Sequence, residues 1–187
     1  MPQTAGSSTA EQPRFYYDLA SPESYLVAER ALHALGTVPE WIPVDLGGPA
    51  FMCQAEIDAY REDVERRAAQ LGVMTPRWPD PFPADVRWAT LAATYAKWIG
   101  RGVAFSLAAL RQAFAAGRDL SVRDNVLIAA AACEMHPSAV IKGAELASTR
   151  RALEEAHERA AADGVDTVPA IWIDGRVLAG ERAIPVP

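Results

Sequence analysis

The sequence predicts an α/β fold in which a long helical block interrupts a small sheet. Three observations carry this. The aromatic run Phe15-Tyr16-Tyr17 passes within a few residues into Ser21-Pro22-Glu23, a strand feeding a helix start. A second apolar run, Trp41-Ile42-Pro43-Val44, follows that helix, so the two strands are joined by a crossover and should be parallel. Towards the far end, two apolar runs flank Asp174-Gly175, the strongest short-range hairpin signal.

The first helix is justified by its start. Ser21 at the N-cap can accept from the free N–H groups of the first turn. Pro22 occupies the first helical position, where a missing N–H is harmless. Glu23 suits the positive end of the helix dipole. The apolar spacing then runs through Tyr25, Leu26, Ala28, Ala31, Leu32 and Leu35 and stops at Gly36. After the second strand and Gly47-Gly48-Pro49, residues 56–71 read as a helix with a solvated charged face, closed by Gly72. Residues 72–84 are Pro-rich, with Trp78 and Phe82 interleaved, and cannot continue a helix. Helices are then expected over 85–99, over 103–116, from an Asp119-Leu120-Ser121 cap through Cys133, from His136-Pro137-Ser138 onward, and over 143–163. From Thr167 the period switches to that of strands.

Composition bounds the function. A net charge of −6 argues against a nucleic-acid surface and against an anionic membrane. Residues 1–12 are small and polar and read as a disordered tail, with neither the basic nor the apolar region of a secretory signal. No apolar run approaches the roughly 20 residues of a membrane helix. The two cysteines, Cys53 and Cys133, form neither a disulfide scaffold nor a metal-ligand pattern, which points to a reducing, cytoplasmic home and to no metal site. Cys133 sits in an Ala-rich helix and reads as a small buried hydrophobe, while Cys53 is a candidate for a pocket border. His33, His136 and His157 show no ligand spacing.

A strand–helix–strand half followed by a hairpin half, with a helical block between, resembles a thioredoxin-like core with an inserted helical domain, the arrangement of the DsbA-like branch. Residues 13–48 and 165–184 would form the core and 49–164 the helical insertion and return helix. Within that branch, Phe15 to Leu26 resembles the first strand and helix start of 2-hydroxychromene-2-carboxylate isomerases and kappa-class glutathione transferases, which carry Ser-Pro-Tyr-Ser where disulfide oxidoreductases carry Cys-Pro-x-Cys. Trp41-Ile42-Pro43-Val44 with Gly47-Gly48, Phe82-Pro83, Thr167-Val168-Pro169 and Gly180-Glu181-Arg182 resemble further family segments. The chain departs from the pattern at Glu23, where a Tyr is usual, at Asp85, where an Asn is frequent, and after residue 184, where the family's last helix has no counterpart.

The resemblance implies a thiol-dependent isomerase or transferase. Glutathione or another low-molecular-weight thiol would lie between Ser21 and a cis Val168-Pro169 loop, with Pro22, Ser24, Thr167 and Glu181 around it. A hydrophobic electrophile held by the helical block would take the thiolate, and the family allows a homodimer. Two alternatives stand beside this. Ser21 is equally explained as a helix cap in a DsbA-family module that binds thiols or peptides without chemistry. A thiol–disulfide oxidoreductase relative is the third, although no Cys-x-x-Cys pair is present to resolve a mixed disulfide.

Overall fold

The computed structural model describes residues 11–180 and residue 184. Four strands, β1 (Arg14–Tyr17), β2 (Glu40–Pro43), β3 (Ala170–Ile173) and β4 (Arg176–Ala179), form one sheet in the order β2-β1-β3-β4. β1 and β2 are parallel, as the crossover requires, and Phe15 pairs with Trp41. β3 runs antiparallel to both β1 and β4. Asp174 and Gly175 both take positive φ, 49° and 77°, the geometry of a two-residue hairpin turn whose twist matches its strands.

β1 is buried on both faces, and its two-residue side-chain period divides the core in two. Phe15 and Tyr17 point into the larger cluster with Trp41, Tyr25, Leu26, Phe105 and Phe114. Tyr16 points the other way, packing with Ile42, Val44 and Ala170 against Ala160 and Val165. The first face is covered by α1 (Pro22–Ala34) and the helical block, and the second by α7 (Ala147–Ala162). Polar ties fix α7 to the sheet. Asp163 at its C-cap accepts from Tyr16 Oη at 2.6 Å and from Arg14 Nη1 at 2.8–2.9 Å, and Glu40 accepts from both Lys97 and Arg159. Burial and the bond to Asp163 push the Tyr16 phenol well above its usual range.

The block comprises α2 (Gln54–Gln70), α3 (Arg87–Trp98), α4 (Gly102–Leu110), α5 (Arg123–Ala132) and α6 (Pro137–Glu145). Four details depart from the sequence expectations. The helix expected over 103–116 changes at its end into a π turn, Arg111–Ala115. Asp119 does not cap α5: its carboxylate closes a turn by accepting from the Ser121 N–H and hydroxyl, and the helix begins at Arg123. The face of α2 is not simply solvated, because Arg67 is three-quarters covered and pairs with Glu23 and Asp63. The last helix does not begin at Gly143. Leu146 is extended (φ −63°, ψ 141°) and separates α6 from α7, while the Gly143 carbonyl accepts from Thr149 Oγ1 at 2.6 Å.

Gly143 serves packing rather than termination. It is buried against Tyr95 of α3, and a Cβ placed there would lie 2.4 Å from ring carbons Cδ2 and Cε2. Gly143→Ala should therefore lower stability by about 1–3 kcal/mol through overpacking. In urea titrations the Gly143→Ala/Tyr95→Ala double variant should lose less than the sum of the two single losses, since the clash is shared. Additive losses would show that Tyr95 does not set the requirement for glycine.

Candidate functional site

The junction of β1 and α1 builds the site. Ser21 is extended (φ −94°, ψ 115°) and caps α1, its Oγ accepting from the Ser24 N–H at 3.0 Å. Ser24 extends the link to the strand end: its Oγ accepts from the Asp18 N–H at 3.1 Å. The Ser21 N–H donates to the Asp18 carbonyl at 3.2 Å. Pro22 fills the first helical position, and Glu23 lies in the first turn. The Ser21 hydroxyl also donates to Glu23 Oε2 at 3.3 Å. That carboxylate is held from α2, by Tyr60 Oη at 2.7 Å and by Arg67 Nη2 at 3.0 Å.

A cleft of about 340 Å³ opens beside this junction. Asp18, Ser21 and Glu23 line one wall, the loop Leu46-Gly47-Gly48-Pro49 and Tyr60 border it, and Asp166, Thr167, Val168 and Pro169 face them. The Val168–Pro169 peptide is cis. Among the described residues, the Val168 amide and carbonyl enter none of the turn, loop or cap hydrogen bonds, whereas the Pro169 carbonyl accepts from the Gly180 N–H at 2.7 Å. The expected residues are thus partly brought together. Ser21, Thr167, Val168 and Pro169 share the cleft. Pro22 and Ser24 lie outside its lining, and Ser24 is fully buried with its polar groups engaged by Asp18 and Ser21. Glu181 lies outside the described residues.

Beside the cleft stands an aromatic wall. Phe51, Tyr60, Trp78 and Phe82 pack with centroid separations of 4.9–6.3 Å, and Arg61 lies over Trp78 and Phe82. Cys53, exposed at the N-cap of α2, and Cys133, buried, are both free, and neither lines the cleft. Burial raises the Cys133 thiol above its usual range. His157 works at a neighbouring loop, where its Nε2 accepts from the Asp45 N–H at 2.9 Å. Asp85 forms an exposed pair with Arg87, whose hydrogen bonds hold the carboxyl down to about 2. A larger cleft, about 520 Å³ between β2, α3 and α7, lies away from Ser21. Among the described residues no group of His, Cys, Asp or Glu could hold a metal ion, and no helix is long and apolar enough to cross a membrane.

Three participants were missed in the sequence. Tyr60 and Arg67 are seven residues apart on α2, two helical turns, and so share a face with the buried Val64; that spacing was the available signal. Asp18 is a charged residue closing an apolar strand. It is 1% exposed, its Oδ1 accepts from the Ala20 N–H at 2.8 Å, and its Oδ2 has no hydrogen-bond partner among the described residues. Burial pushes its carboxyl up to about 6, helped by the nearby Asp45 charge. The Ala20 and Leu46 amides pull the other way, the latter without making a hydrogen bond to Oδ2.

Comparison with known proteins agrees with this architecture. The model of a family described as the DSBA-like thioredoxin domain matches residues 14–186. A 2-hydroxychromene-2-carboxylate isomerase superposes with a TM-score of 0.79 at 17% identity, over 91% of this chain and 89% of that one. A probable DsbA oxidoreductase from Streptomyces coelicolor gives 0.72 at 21% identity, over 94% and 85%. The cytosolic disulfide reductase DsbM from Pseudomonas aeruginosa, also solved with GSH, gives 0.64 at 16–18% identity, over 90% and 88%. No curated protein matches the sequence. At these identities the likeness is one of fold.

Asp18 makes stability depend on pH with a definite sign. Its folded carboxyl titrates near 6 against about 3.9 unfolded, so the native state binds the extra proton between these values. Stability attributable to Asp18 is therefore lost as pH rises from about 4 to about 6. Asp18→Asn should be more stable than wild type at pH 7, by up to about 2–3 kcal/mol, and nearly equal to it at pH 4. Urea titrations at the two pH values check this. A variant less stable at pH 7 would contradict it.

Proposed function

The chain belongs to the DSBA-like thioredoxin domain family, and from that premise we propose that it is a thiol-dependent isomerase or transferase. The observation that carries the proposal is one cleft shared by Ser21, at the N-terminus of α1, and the Thr167-Val168-Pro169 loop. A helix N-terminus favours an anion, and a thiolate is the anion that this chemistry requires. The Val168 backbone groups, which enter no turn, loop or cap hydrogen bond among the described residues, supply a donor and an acceptor for an extended thiol peptide. In the proposed mechanism the thiol sulfur lies against Ser21. It adds as the thiolate to an electrophilic carbon of a hydrophobic substrate, which rests on the wall of Phe51, Tyr60 and Phe82. Release of the thiolate after rearrangement completes an isomerisation; retention of the carbon–sulfur bond completes a transfer. A structurally similar DsbM was solved with GSH, which supports glutathione as the first thiol to test. The proposal includes a reducing, cytoplasmic setting, in which Cys53 and Cys133 stay free.

A second reading has its own observation. Ser21 accepts from Ser24 and donates to Glu23, so its one proton is committed inside the protein, and the Glu23 carboxylate already occupies the α1 terminus. A thiol would have to redirect the Ser21 proton. If it does not, the cleft is a binding module for neutral or extended ligands. A disulfide oxidoreductase is disfavoured, because Ser21 and Ser24 stand where a cysteine pair would be needed.

Ser21→Ala separates the two. Loss of the cap should lower stability by about 0.5–2 kcal/mol under either reading. If the hydroxyl turns to the thiolate, calorimetric affinity for glutathione and related thiols should also fall at least about tenfold, since a hydrogen bond to a charged group contributes about 1.5–3 kcal/mol. The ultraviolet thiolate absorbance of the complex should fall with it. Equal thiol affinity in wild type and variant would leave the binding module standing, and no thiol affinity in wild type would remove the enzymatic reading.

A further inference from the structure

The Ser21 cleft faces an unusual charge problem. Asp18, Glu23 and Asp166 line it, and among the described residues no lysine or arginine does. Glu23 is compensated by Arg67. Asp18 is not: its carboxyl is buried, Oδ2 lacks a partner among the described residues, and the charge that bears on it from the β2 side is another acid, Asp45. The Ala20 and Leu46 amides offset this only in part. Tyr17, on the same strand, is a buried phenol whose pKa burial pushes well above its usual range, and Tyr60 donates to Glu23. A thiolate arriving at the α1 terminus would add one more negative charge to a poorly solvated site. Two like charges so placed do not both persist; one group takes up a proton. Ser21 cannot be that group, because a neutral hydroxyl is not basic enough to hold an added proton.

We infer that Asp18 is the proton-holding group of the cleft, becoming protonated at Oδ2 as a bound thiol becomes a thiolate, so that the charge of the site stays constant. The inference rests on the thiol reading above. Its chemistry balances without a further reactant. The S–H bond breaks, the electron pair stays on sulfur and an O–H bond forms on Asp18; when the thiol departs the proton returns. Asp18 lines the same cleft as Ser21 and takes this proton itself, so it is the base of the thiol site. Its backbone suits this role, since the Asp18 N–H and carbonyl are bonded to Ser24 and Ser21, the residues that form the anion site. At neutral pH the exchange is internal: the carboxyl, titrating near 6, is ionised in the empty site, and a free thiol, near 8.5, is neutral.

The test is the proton balance of glutathione binding at pH 7, measured by calorimetry in buffers of different ionisation enthalpy with thiolate absorbance read in parallel. Wild type should form thiolate while releasing almost no proton to the buffer. Asp18→Asn, which keeps an oxygen to accept from Ala20, should release about one proton for each thiolate formed, or form far less thiolate. A carboxyl-carbon NMR titration of wild type needs no variant: Asp18 should be ionised in the free protein at pH 7 and protonated in the complex. Thiolate formation in wild type with a full proton released, unchanged proton balance in Asp18→Asn, or an ionised Asp18 in the complex would each overturn the inference while the thiol reading stood. Failure of wild type to bind glutathione with thiolate formation would overturn both.

Discussion

The fold's functional end depends on two linked hydrogen bonds at the β1–α1 junction. Ser21 Oγ accepts from the Ser24 N–H, and Ser24 Oγ accepts from the Asp18 N–H. These bonds satisfy an orphan donor of the first helical turn and fix the angle at which the strand enters the helix. They also make the N-terminal end of α1 a fixed wall. Everything else at the site is placed relative to it. The parallel partner β2 delivers the Gly47-Gly48 loop to one side, and the antiparallel β3 delivers Val168-Pro169 to the other. Glu23 then ties the wall to α2 through Tyr60 and Arg67, so the helical insertion is anchored at the cleft itself.

That anchor gives the site its chemical character. A helix N-terminus ordinarily offers uncommitted positive potential to a ligand. Here a carboxylate of the same helix lies against it, neutralised by an arginine from the insertion. A second carboxyl, Asp18, lines the cleft, and one of its oxygens has no hydrogen-bond partner among the described residues. Any anion bound there competes with negative charge already present. Burial raises the strength of that competition, because opposing charges are less screened away from water.

Much of this was legible from sequence. The Phe15-Tyr16-Tyr17 run, the Ser21-Pro22-Glu23 start and the Asp174-Gly175 turn each carry local chemistry that specifies one conformation, and the structure holds all three. Ser21 and Val168-Pro169 were legible as a pair through family resemblance, since nothing local links residues so distant in the chain. Other features resisted. The break at Leu146 and the burial of Gly143 arise from the contact of α6 with Tyr95, which no local propensity encodes. Arg67 resembled a solvated surface charge because its partner Glu23 lies 44 residues away. Asp18 was visible as a charge at the end of an apolar strand, but its isolation depends on which groups the fold leaves out of reach.

The central claim is that the Ser21–Val168 cleft binds a thiol. Backbone amide NMR shifts during a titration with glutathione test it most directly, because they report where the ligand goes regardless of turnover. The account predicts saturable shifts concentrated at residues 21–25, 46–48 and 166–168. Shifts confined to the larger cleft around Thr94, Lys97 and Arg151, or no saturable shifts at all, would contradict it.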